Sequence, residues 1–144
     1  MICGLSHITF IVRNLDRTEK IFTDVLNARK IYNSGEITHS LSKERYFQIG
    51  ELWIAIMEGD PLSEKTYNHV AFKIEEADFD RYLKAINALG LQIRKGRARI
   101  EAEGRSIYFY DYDNHLFELH TGTLSDRLQC YEGDQIPSNN SVER

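Results

Sequence analysis

The sequence predicts an α+β fold of two tandem βαβββ modules, each a curved mixed sheet with one helix, joined in a single domain. Two observations predict it. A histidine-bearing strand occurs twice, as Ser6-His7-Ile8-Thr9-Phe10-Ile11-Val12 and, sixty-two positions later, as Asn68-His69-Val70-Ala71-Phe72-Lys73-Ile74. The same order of elements (strand, helix, three strands) then runs from each copy.

In the first module, residues 5–12 alternate with period two, placing His7, Thr9 and Ile11 on one face and Ile8, Phe10 and Val12 on the other. Asn14 or Asp16 caps a helix over 16–27, whose apolar stripe is Ile21, Phe22, Val25 and Leu26. Strands follow at 30–32, 40–49 and 52–57, with Asn33-Ser34-Gly35 and Gly50-Glu51 as turns. Gly59-Asp60-Pro61-Leu62-Ser63 separates the modules, 1–60 and 61–131. The second module repeats the order: a strand at 68–74, a helix at 78–89 ended by Gly90, a strand at 91–95, a charged loop at 96–104, and a hairpin of 106–110 with 115–120. Residues 132–144 are expected to form a polar, disordered tail. Each sheet has one helix-covered face and one bare face, and the bare faces carrying His7 and His69 are expected to line a cleft.

Composition narrows the function. The 144 residues suffice for one ordinary core, and a formal charge of −4 argues against a nucleic-acid or anionic-membrane binder. No stretch approaches the roughly 18 apolar residues that span a bilayer. The first strand begins without a basic leader and apolar run, so a cytoplasmic protein is expected. Cys3 and Cys130 lie near opposite ends and read as free thiols.

Three strands carry potential metal ligands: His7, His69, and Glu118 within Leu116-Phe117-Glu118-Leu119-His120. The pseudo-symmetric counterpart of Glu118, counted at the same offset from His7, is Ile56, so a fourth ligand is missing. Three protein ligands leave positions open for substrate, the mark of a Lewis-acid site. Two nitrogens and a carboxylate suit Zn2+, Mn2+, Fe2+ or Ni2+. His120 shares the face of Glu118 and competes as a ligand, while His115 reads as structural and His39 as a surface residue. Thr9, about 6–7 Å along the strand from His7, offers a hydroxyl to an oxygen gaining negative charge. Glu44, between Lys43 and Arg45, reads from spacing alone as solvated or ion-paired. Lys95, Arg97, Arg99, Arg105 and Arg127 supply cations for an anionic substrate.

These residues resemble the vicinal oxygen chelate superfamily, and within it the fosfomycin resistance proteins. The likeness rests on Gly4-Leu5-Ser6-His7-Ile8-Thr9, Trp53-Ile54-Ala55-Ile56-Met57-Glu58, Tyr67-Asn68-His69-Val70-Ala71-Phe72 and the run from Glu103 to Leu128, and it covers about residues 1–131. The branch it is most similar to opens the drug's epoxide with water rather than a thiol. The resemblance implies His7, His69 and Glu118 as ligands of Mn2+, Thr9 beside the epoxide oxygen and Glu44 as general base. It also implies Ser106, Tyr108 and Arg127 at the phosphonate, Trp53 and Tyr46 as pocket wall, and a homodimer in which two chains share each metal site. The glutathione branch carries a lysine and a serine where this chain has Ala98 and Ala102, which argues against that branch and against a potassium requirement. The alternatives are addition of glutathione, bacillithiol or cysteine to the drug, a non-catalytic drug-binding protein, and another lyase or dioxygenase of the superfamily.

Overall fold

A computed structural model describes residues 1–97, 99 and 101–134. Two four-stranded mixed sheets form, one per sequence repeat, each with the strand carrying the histidine at its edge. The first has β1 (His7–Val12), β4 (Leu52–Glu58), β3 (Glu44–Ile49) and β2 (Arg29–Asn33) in that spatial order; the second has β5 (His69–Lys73), β8 (Leu116–His120), β7 (Ser106–Tyr110) and β6 (Ile93–Arg94). β1 runs parallel to β4, and β5 parallel to β8; the other pairs are antiparallel.

The helices are shorter than the spacing suggests. Asn14 caps α1 (Leu15–Lys20) by accepting the Arg17 N–H at 3.0 Å. The expected continuation becomes a π turn, Ile21–Val25, closed by the Leu26 N–H on the Ile21 carbonyl. That widening points Ile21, Phe22 and Val25 inward together. In the second module α2 (Phe79–Ala88) ends at Gly90, whose φ of 63° is the left-handed conformation of a C-cap. A third helix, α3 (Leu124–Asp134), was not expected. Thr123 and Asp126 cap it reciprocally: the Thr123 amide and hydroxyl donate to Asp126 Oδ2, and the Asp126 amide donates to Thr123 Oγ1. Residues 132–134 therefore close a helix instead of opening a tail, and the remaining tail positions, 135–144, lie outside the described residues.

The helix-covered faces of the two modules meet in one core. Phe10, Phe22 and Phe117 pack with ring centroids 5.2 to 6.3 Å apart, joining β1, the π turn and β8. Asp113 adds a polar tie, its carboxylate accepting the Arg13 amide at 2.9 Å across a hundred residues of chain. His115 holds the hairpin turn through Asp111, as its structural reading requires. Because the apolar faces are spent on each other, the opposite faces stay open. His7, Thr9 and Ile11 on β1, and His69, Ala71 and Lys73 on β5, are all exposed in a single chain. Among the described residues no helix is long and apolar enough to cross a membrane.

Candidate metal centre

The strand registers decide which side chains share the open faces. On the first sheet, His7 lies across from Trp53, Thr9 from Ala55, and Ile11 from Met57; Met57 in turn pairs with Glu44, and Ala55 with Tyr46. His7, Thr9, Trp53, Tyr46 and Glu44 therefore occupy one surface. On the second, Ala71 pairs with Glu118 and Glu118 with Tyr108, while His120 pairs with Ser106. The residue that corresponds to Glu118 is thus Ala55, not Ile56. Counting by a constant offset was wrong by one position, and in a strand one position is the other face.

His69 and Glu118 meet on the second sheet, with Nε2 to Oε2 at 3.0 Å. The His69 Nδ1 lies 2.7 Å from the Tyr67 carbonyl oxygen, so Nδ1 carries the proton and donates it there. Nε2 is thereby turned to a carboxylate oxygen, across a gap that a proton or a metal ion can bridge. Cis ligands of an octahedral ion with bonds of about 2.1 Å lie roughly 3 Å apart, so the pair fits a divalent metal.

The other oxygen of the buried Glu118 is occupied. Oε1 accepts from Ser106 Oγ at 2.6 Å and from Arg99 Nη2 at 3.0 Å. Arg99 also donates to the Tyr108 hydroxyl at 2.9 Å, which receives Tyr67 Oη at 3.2 Å as well. Burial alone pushes the Glu118 carboxyl up, but hydrogen bonds from Ser106 and Tyr108 and the charge of Arg99 outweigh it, and the carboxyl titrates below its usual range. Burial, with hydrogen bonds to Tyr67 and Glu118, pushes the Tyr108 hydroxyl far above its ordinary value. It remains a neutral donor at physiological pH.

Two glycines let the arginine-bearing loop dock here. A β-carbon on Gly104 would stand 2.5 Å from the Gly122 nitrogen, and one on Gly122 would stand 2.1 Å from the Glu103 carbonyl oxygen. Arg97 and Arg127 both turn toward the fully buried Glu103, Arg127 Nε lying 3.9 Å from it. Arg127 therefore borders the site from α3. Ala98 lies outside the described residues.

On the first sheet, the His7 ring packs on Trp53 with centroids 4.2 Å apart, and Trp53 meets Tyr46 at 5.1 Å. Tyr46 donates its hydroxyl to Glu44 Oε1 at 2.9 Å. Glu44 is buried, 4% exposed, whereas Lys43 pairs with Glu36 and Arg45 with Asp16 and Glu19. The reading of Glu44 as solvated or ion-paired is overturned: alternation turns its flanking cations to the opposite face.

The three expected ligands are not assembled within one chain. Among the described residues no group of three or more His, Cys, Asp or Glu side chains is placed to hold a metal. His69 and Glu118 form one half of a site; His7 stands on the other open face. His39 is exposed, as expected. His120 has its Nδ1 engaged by Ser106 and its Nε2 buried beside Gly122. The contacts of Arg99 and His120 to this cluster were not legible in the sequence, since both depend on how the loop and hairpin fold back.

A profile of the Glyoxalase/Bleomycin resistance protein/Dioxygenase superfamily matches residues 4–119. The fosfomycin resistance protein FosX of Listeria monocytogenes is 57% identical over 131 residues, covering 91% of this chain and 98% of that protein. FosX of Mesorhizobium japonicum is 59% identical over 128 residues, covering 89% and 92%. The metallothiol transferase FosB of Shouchella clausii is 39% identical over 137 residues, covering 92% and 89%. A crystal structure of a Listeria FosX mutant complexed with Mn(II) and 1S,2S-dihydroxypropylphosphonic acid superposes with a TM-score of 0.82 at 53% identity, covering 91% of this chain and 99% of that one. The chain belongs to this superfamily, and within it to the FosX fosfomycin resistance proteins.

Proposed function

We propose that this protein is an Mn2+-dependent hydrolase that adds water to the epoxide of fosfomycin and so inactivates the antibiotic. The observation that carries the reading is the His69–Glu118 pair, an imidazole nitrogen and a carboxylate oxygen 3.0 Å apart. It is supported by the similarity to FosX, whose structure holds Mn(II) and a diol phosphonate, the compound that water addition to this epoxide yields. Similarity to the thiol-using FosB proteins is lower.

The ion is held by His69, Glu118 and the His7 of a second copy, and when bound it supplies Lewis-acid polarisation of the epoxide C–O bond. A homodimer of this kind is supported by the two open faces of the single chain, each carrying part of the ligand set. Glu44 takes the proton of the attacking water. Its Oε1 is held by Tyr46, which assigns the water to Oε2. A positioned carboxylate base contributes about 10²–10⁴-fold. Thr9 donates a hydrogen bond to the epoxide oxygen as that oxygen gains charge. Tyr108 and Arg127 hold the phosphonate, and Trp53 and Tyr46 wall the pocket. Ser106 joins them, its hydroxyl donating to Glu118 in the single chain as that of Tyr108 does. The free thiols of Cys3 and Cys130 suit a cytoplasmic enzyme.

The test is to incubate the protein with Mn2+ and fosfomycin, with and without thiols, and follow the phosphorus NMR signal. Diol formed without thiol is expected. A product formed only with glutathione, cysteine or bacillithiol moves the protein to the transferase reading. Stoichiometric drug binding without turnover makes it a sequestering protein.

A further inference from the structure

We infer that Ser34 is a positioning residue for the proposed general base: it fixes where β3 begins and therefore where the Glu44 carboxylate stands. This deepens the proposed function and rests on its assignment of Glu44 as the base.

β2 and β3 pair as far as Asn33 and Arg45. One position farther out, Ser34 faces Glu44, and there the chain must leave the ladder for the connection at 34–43. The Ser34 N–H donates to the Glu44 carbonyl oxygen at 3.0 Å, as an antiparallel ladder requires. The return bond does not go to the Ser34 carbonyl. That oxygen accepts the Ile37 N–H at 3.2 Å, closing a turn in which Gly35 has a left-handed φ of 61°. The Glu44 N–H goes instead to Ser34 Oγ at 3.0 Å. One serine thus serves two ends: its carbonyl starts the turn, and its hydroxyl takes the carbonyl's place in the ladder. Asn33 Oδ1 steadies the same turn by accepting the Gly35 N–H at 2.9 Å.

Burial makes this hydroxyl hard to replace. Ser34 is 8% and Glu44 4% exposed, so a Glu44 N–H deprived of Oγ is left without a partner. The far end of the side chain is held as well, by the Tyr46 hydroxyl on Oε1. Anchored at its main chain by Ser34 and at its carboxylate by Tyr46, Glu44 presents Oε2 from a fixed place. The Lys43–Glu36 ion pair spans the same connection, but Glu36 is exposed, and a solvated pair of this kind contributes little. The placement of the base therefore falls to the serine. A reacting group displaced by about 1 Å can lose about 10²-fold in rate.

The experiment measures kcat and KM for fosfomycin by phosphorus NMR, and titrates Mn2+ by the electron paramagnetic resonance of the free ion. It compares the full chain with Ser34→Ala, Ser34→Thr, Glu44→Gln, and the double variant combining Ser34→Ala with Glu44→Gln. Ser34→Ala is expected to lower kcat about tenfold or more, with KM and Mn2+ affinity within about twofold. Ser34→Thr keeps the hydroxyl and should hold kcat within about threefold. In the Glu44→Gln background, Ser34→Ala should cost less than about twofold further, because a base already removed cannot be misplaced. A second tenfold loss in that background overturns the proposal, and so does an unchanged kcat in Ser34→Ala. A fall in Mn2+ affinity matching the fall in kcat also overturns it, as damage to the whole sheet. Hydrogen exchange on the unsubstituted chain needs no variant to fold: the Glu44 amide should exchange at least about tenfold more slowly than that of the exposed Leu41. Equal rates overturn the proposal. Full activity in Glu44→Gln removes the base reading and this proposal with it, whereas a second loss in an impaired Glu44→Gln removes this proposal alone.

Discussion

The two modules share one scaffold and differ in where the carboxylate stands. By strand register, His7 corresponds to His69, Tyr46 to Tyr108, Ala55 to Glu118, and Glu44 to Ser106. In both, a tyrosine hydroxyl bonds a buried carboxylate, Tyr46 to Glu44 and Tyr108 to Glu118. The carboxylate sits on the central strand beside the histidine in the second module and one strand farther away in the first. In the proposed reaction the carboxylate beside an imidazole holds the metal, and the one a strand away moves the proton. Moving an acid between equivalent rows of the sheet would thus divide the ligand and base roles between modules.

The sharpest break of that comparison separates the histidines. His7→Ala and His69→Ala should each abolish hydration of fosfomycin. Mixed, unfolded and refolded together, the two variants should recover about a quarter of the original activity, because half the dimers carry one intact site of two. No recovery, measured by phosphorus NMR, would place each site within a single chain. Glu44→Gln is next: a loss of about 10²–10⁴-fold in kcat is expected, with the Mn2+ titration unchanged. A loss of Mn2+ binding would make the first module's carboxylate a ligand too.

Ala55→Glu restores the absent counterpart of Glu118. Ala55 is buried, 3% exposed, between Thr9 and Tyr46, so the larger side chain should cost about 1–3 kcal/mol in urea unfolding. No second Mn2+ should bind, since the added carboxylate stands on the face of the same His7 that the shared ion takes. A second equivalent per chain would show that each module binds its own ion, against the shared site. The smallest effect is expected at the seam. Burial raises the Asp113 carboxyl above its ordinary value, so the native state holds its proton more tightly than the unfolded chain does. Stability from this group is present at low pH and lost as pH rises through the raised value. Asp113→Asn keeps the acceptor for the Arg13 amide and should raise Tm slightly at pH 7, with the gain vanishing as pH falls into the carboxylate range.

Much of this was legible in the residues. Period-two alternation placed His7, Thr9 and His69 on open faces, and the repeat gave both sheets. The register within the first module was not legible, because the connection from β3 to β4 is one residue shorter than that from β7 to β8 and a constant offset slips by one. Glu44 was unreadable for a related reason: its neighbours Lys43 and Arg45 are charged in sequence but face away in space. The resemblance, not the spacing, singled it out. α3 was missed although Thr123 and Asp126 have capping spacing, since its mixed composition offers no apolar stripe. The bond from Ser106 to Glu118 was not legible either, since only the hairpin pairing creates it.

The proton on His69 is fixed by a peptide oxygen of Tyr67, not by a side chain. Main chain is present whatever residue occupies position 67, so this choice of tautomer is insulated from substitution there. The readiness of the proposed ligand is inherited from the path of the backbone, and drift at Tyr67 can alter the aromatic wall without disarming the histidine.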